Sequence, residues 1–161
     1  MATSKKPRKK YRPRPIQTWL PGNVRRDIEI MGFLFHRKIA SGLFDAIDSN
    51  TVAYLLNVCH KMAVDTGNSA MSATCDEAIE AYRSIRRRHD RTGKYGASGP
   101  ELITLESAMP AIANYFTTSP QHRIDQARQY VLRVNEQMRA RGVVYADITN
   151  DGRLENCEVA G

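Results

Sequence analysis

DSNTVAYLLNVCHKMAVDTG, residues 48–67, sets the fold class of this chain. Val52, Leu55, Leu56, Cys59 and Met62 recur at spacings of three and four, the period of one helix face. Asp48 and Ser49 stand in front of the run as caps, and Gly67 follows it as a stop. A helix with this apolar stripe must bury it against other elements, so the stretch predicts a bundle. Cys59 belongs to the stripe. The next residue on a helix points about 100° away, which predicts a buried thiol at Cys59 beside a surface histidine at His60.

The same period continues on both sides. Upstream, Asn23 is an N-cap for a helix carrying Val24, Ile28, Met31 and Phe35, with Gly42 as its stop and a short apolar segment at Leu43–Ile47 after it. Downstream, GNSAMSA at 67–73 reads as a loop, and Thr74 with Glu77 has capping-box spacing before a helix bearing Cys75, Ile79, Tyr82 and Ile85 that closes near Gly93. The loop TGKYGASG at 92–99 leads to Pro100 at a first helical position. Leu102, Leu105, Met109, Ile112 and Phe116 then repeat in heptad fashion, and Pro110 predicts a kink or a split into two short helices. Ser119 and Pro120 read as N-cap and N1 of a helix bearing Ile124, Ala127, Val131, Val134 and Met138, ended by Gly142. Beyond it the period becomes two: VVYADIT, the turn NDG and RLENCEV predict a hairpin. The expected fold is mainly α: a bundle of about five helices over 21–142, a C-terminal β-hairpin over 143–161 packed on it, and a disordered basic N-terminal arm over 1–20.

A chain of 161 residues is long enough for one domain that buries roughly 70% of its unfolded surface. Cys59, Cys75 and Cys157 are an odd set without CxxC spacing, which argues against a disulfide framework or a zinc ribbon and for a reducing cytoplasm. No apolar run approaches the ~20 residues of a membrane span, and the basic opening lacks the apolar stretch of a signal peptide. The expectation is a soluble protein of the bacterial cytoplasm without membrane contact.

Charge is distributed unevenly. Residues 1–26 hold nine of the 24 basic residues and none of the 17 acidic ones, which leaves a slightly acidic body. KKPRKKYRPRP, residues 5–15, supplies Lys5, Lys6, Arg8, Lys9, Lys10, Arg12 and Arg14 on a backbone that prolines keep extended. Such a segment can follow a phosphate backbone, with a salt slope near −0.9 per contact on duplex DNA, and Tyr11 adds a stacking group. The competing reading is a solvated tail that keeps the protein soluble. Trp19 and Leu20, followed by Pro21 and Gly22, mark a docking point of the arm on the folded part; a stacking role for Trp19 on a base is the alternative.

A second basic cluster spans Arg83, Arg86, Arg87, Arg88, Arg91 and Lys94. Glu80 can pair with Arg83, but Arg86, Arg87 and Arg88 have no acidic residue at i−4 or i−3, unlike Arg128 with Asp125 and Arg139 with Glu136. This makes Arg86, Arg87, Arg88, Arg91 and Lys94 candidate phosphate contacts, against the commoner reading of a solvated helix face.

The remaining motifs are weak. Spacing before Gly93-Lys94 is wrong for a phosphate-binding loop, and Tyr95 stands where Ser or Thr is needed. His36, His60, His89 and His122 fall on separate elements without ligand spacing, so no metal is expected, nor any cofactor. Asp147 and Asp151 are explained by turn chemistry. Residues 43–66 have lengths suited to a helix-turn-helix, but the second helix is too apolar to read bases. The opening KKPRKKYRP resembles the start of small, poorly characterised proteins encoded by proteobacterial phages, prophages and plasmids; that resemblance covers the arm alone and implies a mobile-element context in a bacterial cytoplasm. The expected function is non-enzymatic: a nucleic-acid-associated accessory or regulatory protein that binds phosphates through the arm and the Arg-rich helix end, with the bundle supplying shape or a homo-oligomer interface. The alternative is a phage- or plasmid-encoded interaction module that inhibits a host complex, such as a nucleic-acid-guided defence complex.

Overall fold

The computed structural model describes residues 37–140 together with 26, 28, 30, 34 and 35. The arm with Trp19, Gly142 and the hairpin expected over 143–161 lie outside these described residues.

The first helix, α1, comprises the helical residues described between 26 and 40. It ends in a Schellman turn: Gly42 takes φ 72°, its N–H donates to the Ile39 carbonyl at 3.2 Å, and the Leu43 N–H donates to the Lys38 carbonyl at 3.0 Å. Helix α2 runs Ala46–Asp65. Asp45 is its N-cap, with the Asp48 N–H donating to Asp45 Oδ1 at 2.8 Å and the Asp45 N–H donating back to Asp48 Oδ2 at 3.3 Å. The start is therefore earlier than the Asp48–Ser49 expected from sequence, because Ala46 and Ile47 of the apolar segment already belong to the first turn. At the other end the sequence-predicted stop holds, with Gly67 at φ 66°.

Helix α3, Ser69–Thr92, begins five residues before the expected cap at Thr74, because Asn68 accepts the Met71 N–H at 3.1 Å. GNSAMSA is thus mostly helix. Small residues there are compatible with a first turn once a side-chain oxygen replaces the missing carbonyls. Helix α4, Gly99–Thr118, runs unbroken through Pro110, whose side chain is exposed. Helix α5 spans Gln121–Ala140. Ser119 closes α4 instead of capping α5: its hydroxyl donates to the Tyr115 carbonyl at 2.7 Å, and the Pro120 carbonyl receives the Arg123 and Ile124 N–H groups.

Helix α2 is the centre of the bundle, packed against α3, α4 and α5, while α3 also packs on α4. The apolar positions read from sequence on α3 and α5 are all buried, from Cys75, Ile79, Tyr82 and Ile85 to Ile124, Ala127, Val131, Val134 and Met138. On α4, Leu105, Met109, Ile112 and Phe116 are buried, with Leu102 partly so. Phe35 and Ile39 bring α1 onto the core, where the Phe35 and Phe44 rings meet edge to face at 5.1 Å. No helix among the described residues is long and apolar enough to cross a membrane.

Candidate functional site

The C-terminal half of α3 and the loop 93–98 carry the only predicted site residues that the structure describes. Lys5, Lys6, Arg8, Lys9, Lys10, Tyr11, Arg12 and Arg14 lie outside the described residues. The helix projects its five arginines in different directions, so their environments differ although they are close in sequence.

Arg88 faces α4. Its guanidinium binds the Glu101 carboxylate through two parallel bonds of 2.9 Å and also donates to the Gly96 carbonyl. Glu101 is the third residue of α4 after the Ser98 N-cap, and it accepts the Ser98 N–H at 2.6 Å. One carboxylate thus caps α4 and ties it to α3. Bonding to Arg88 holds the Glu101 carboxyl down at about 2, with burial opposing and the Ser98 bond assisting; the same pair pushes Arg88 upward. The SGPE stretch at 98–101 has capping-box spacing, a local signal present in the sequence. The partner of Arg88, thirteen residues away, carries no local signal.

Arg86 also turns inward. It donates to Ser49 Oγ at 2.5 Å and to Tyr95 Oη at 3.1 Å. Tyr82 Oη lies 2.5 Å from Ser49 Oγ and donates to the Ser49 carbonyl at 2.7 Å. Burial pushes the Tyr82 phenol up to about 12, against the hydrogen bond with Ser49 and the charge of Arg86. Tyr95 stacks on His89 at 3.9 Å and meets Phe44 edge to face at 5.2 Å. The glycine-flanked loop is therefore tied through its tyrosine to α3 and to the connection between α1 and α2.

Arg87 is 63% exposed and pairs at 2.7 Å with Glu80, itself 60% exposed. The partner sits two turns back, beyond the i−4 neighbours that share one turn of a helix face. Bonding to Arg87 lowers the Glu80 carboxyl, with a smaller contribution from Arg83. An exposed pair of this kind is worth about 0–1 kcal/mol, so Arg87 can exchange its carboxylate for a phosphate at little cost. Arg91 and Lys94 are exposed. Arg91 and His89 also lie in the last turn of α3, where positive charge complements the helix dipole. Of the five predicted contacts on α3 and its loop, Arg87, Arg91 and Lys94 face solvent, whereas Arg86 and Arg88 are engaged in holding helices together.

His60 corrects the expected surface histidine. It is fully buried, with Nε2 3.0 Å from Asp76 Oδ1 and 3.4 Å from Ser72 Oγ. Because α2 is covered on several sides, a 100° turn away from Cys59 leads to α3 and not to water. Both oxygens approach the same ring nitrogen, whereas a catalytic triad uses Nε2 for the nucleophile and Nδ1 for the carboxylate. Cys59 is buried as predicted, and burial, aided by nearby Cys75, pushes its thiol well above the ordinary range. Burial also pushes Cys75 up to about 12. Neither thiol supplies a ready thiolate at neutral pH. Among the described residues no three His, Cys, Asp or Glu side chains are grouped to hold a metal ion.

Compared with protein-family models, with curated proteins and with solved structures, the chain has no significant match.

Proposed function

We propose that this is a non-enzymatic nucleic-acid-associated protein that holds phosphate backbone through its basic arm, with the exposed cations at the end of α3 as a secondary contact. The observation that carries the reading is the charge asymmetry: nine basic and no acidic residues in 1–26, against a slightly acidic remainder. A polyanion gives such an arm a partner and releases counterions on binding. Arg87, Arg91 and Lys94 are exposed, which suits backbone contact without base readout. The context is that of a bacterial mobile element, on the likeness of KKPRKKYRP.

The test is equilibrium binding of the full chain, and of a chain lacking residues 1–15, to single-stranded DNA, duplex DNA and RNA at several salt concentrations. The expected result is affinity that falls steeply with salt and nearly vanishes without the arm. Absence of binding to all three overturns the reading.

The competing reading is an interaction module that inhibits a host complex through a terminal hairpin. Its support is the period-two alternation of VVYADIT and RLENCEV on either side of the turn signal NDG. A two-stranded unit has open edges that can extend a partner's sheet. Salt-insensitive binding to a protein partner, lost on removal of residues 143–161, distinguishes it from the first.

A further inference from the structure

An apolar groove with a volume of about 210 Å³ opens between α1 and the start of α2. Phe35, Phe44 and Val52, all buried, form its floor, and the exposed Ile30 and Leu34 form a wall. At its edge Lys38 Nζ pairs with Asp48 Oδ1 at 2.6 Å. Ile30 and Leu34 are one turn apart on α1, yet they remain 44% and 36% exposed. Apolar surface laid into the groove therefore gains from burial against both its floor and its wall.

We propose that residues 16–20 of the same chain, IQTWL, occupy this groove with Trp19 as the anchor. Three features select this occupant over a separate molecule. The first is composition: Ile16, Trp19 and Leu20 are the apolar residues that lie between the basic run and α1. The second is direction. Leu20-Pro21-Gly22-Asn23 places Pro at the second and Gly at the third position of a turn, the type II signature, which sends the preceding segment back along α1. Reach is the third. With α1 starting from Asn23, as the sequence predicts, a rise of 1.5 Å per residue puts Ile30 roughly 10 Å and Leu34 roughly 17 Å along the helix. An extended strand at ~3.4 Å per residue carries Trp19 about 10 Å and Ile16 about 20 Å back from Gly22. Trp19 then lies level with Ile30, and Ile16 level with Leu34. A tether this short keeps the segment at high effective concentration beside the groove.

The rim fits the anchor chemically. Buried tryptophan needs an acceptor for its indole N–H, and the Asp48 carboxylate stands at the edge. The Lys38 ammonium beside it offers a cation to the ring face. Docking at 16–20 fixes where the basic arm leaves the bundle, and it stands or falls independently of whether the arm binds nucleic acid.

Trp19 is the sole tryptophan, so the intrinsic fluorescence of the full chain reports the contact directly. Wild type is expected to show blue-shifted emission and weak quenching by acrylamide. Leu34→Asp and Ile30→Asp are expected to shift emission towards that of the urea-unfolded chain and to raise quenching severalfold, with far-UV circular dichroism unchanged. Leu132→Asp, at an exposed leucine of α5, is the control and leaves emission in place. Deletion of residues 1–15 also leaves emission in place, whatever it does to nucleic-acid binding. Wild-type emission already like that of the unfolded chain overturns the proposal. So does blue-shifted emission that is lost on dilution together with dimer mass, which would give the groove to a second copy. Should the aspartate variants fail to fold, nuclear Overhauser contacts between the Trp19 indole and the Ile30 or Leu34 methyls decide: their presence supports the docking and their absence refutes it.

Discussion

Glu101 gathers two guanidinium bonds and a backbone N–H on one carboxylate. Its folded value of about 2 lies below the ~4.3 of an unfolded glutamate. The charged form is therefore favoured by folding, and its contribution is complete above the unfolded value and lost as pH falls from about 4.3 towards about 2. Glu101→Gln should cost about 1–3 kcal/mol at pH 7, and the gap to wild type should close through that acid window; urea unfolding at stepped pH measures both. A gap that persists unchanged to pH 2 would rule out the charged pair as its source. Tyr82→Phe removes the hydrogen donated to the Ser49 carbonyl, and we expect a loss of about 1–2 kcal/mol in the same assay. Cys59 and Cys75, buried with raised thiols, should resist alkylation in the native state and react on unfolding, as peptide mapping after labelling will show.

At the scale of elements, caps locate the helix starts. Asn68 accepts the Met71 N–H, whereas the Thr74 hydroxyl donates to the Ala70 carbonyl, the mark of an interior residue. Asn68→Ala should cost about 1 kcal/mol, and Thr74→Ala should leave stability within about 0.5 kcal/mol of wild type; the reverse order would put the start of α3 at Thr74. Pro110 lies inside α4 with its ring exposed. Proline costs an interior hydrogen bond and about 3 kcal/mol relative to alanine in an unstrained helix, so Pro110→Ala should raise the thermal midpoint. Unchanged or lower stability would mean that neighbouring helices are shaped to the proline. Helix α2 was the most legible element from its apolar spacing, yet its start moved because the Asp45 and Asp48 side chains each accept the other's backbone N–H, which hydrophobic period does not encode.

For the whole molecule, charge separates binding from stability. Deleting residues 1–15 removes seven cations and brings the formal net charge from +7 to zero. If about six of those cations meet phosphates, the log–log salt slope should become shallower by about 5. Neutralising Arg87, Arg91 and Lys94 together should take up to about 3 from the slope and leave thermal stability nearly unchanged, because these residues are exposed. Arg88→Ala should do the opposite, lowering stability through loss of the Glu101 tie with little effect on the slope. If both variants change the slope alike, Arg88 exchanges Glu101 for phosphate and the division into inward and outward cations is wrong.

Sequence alone determined which faces are apolar. Local period picked out Ile79, Ile85, Val131 and Met138 as core, and each is buried, because a helix that hides one stripe must repeat it every three or four residues. It also determined the charge asymmetry of the arm, which is a property of composition. Tertiary structure decided the rest. His60 is buried because α2 lies at the centre of the bundle, a position that its own stripe does not reveal. Arg88 meets Glu101 across thirteen residues and Arg86 meets Ser49 across 37, because helix packing sets which side chains come within bonding distance. Sequence spacing reports neighbours one turn apart; only the approach of separate helices determines which arginines remain available to solvent.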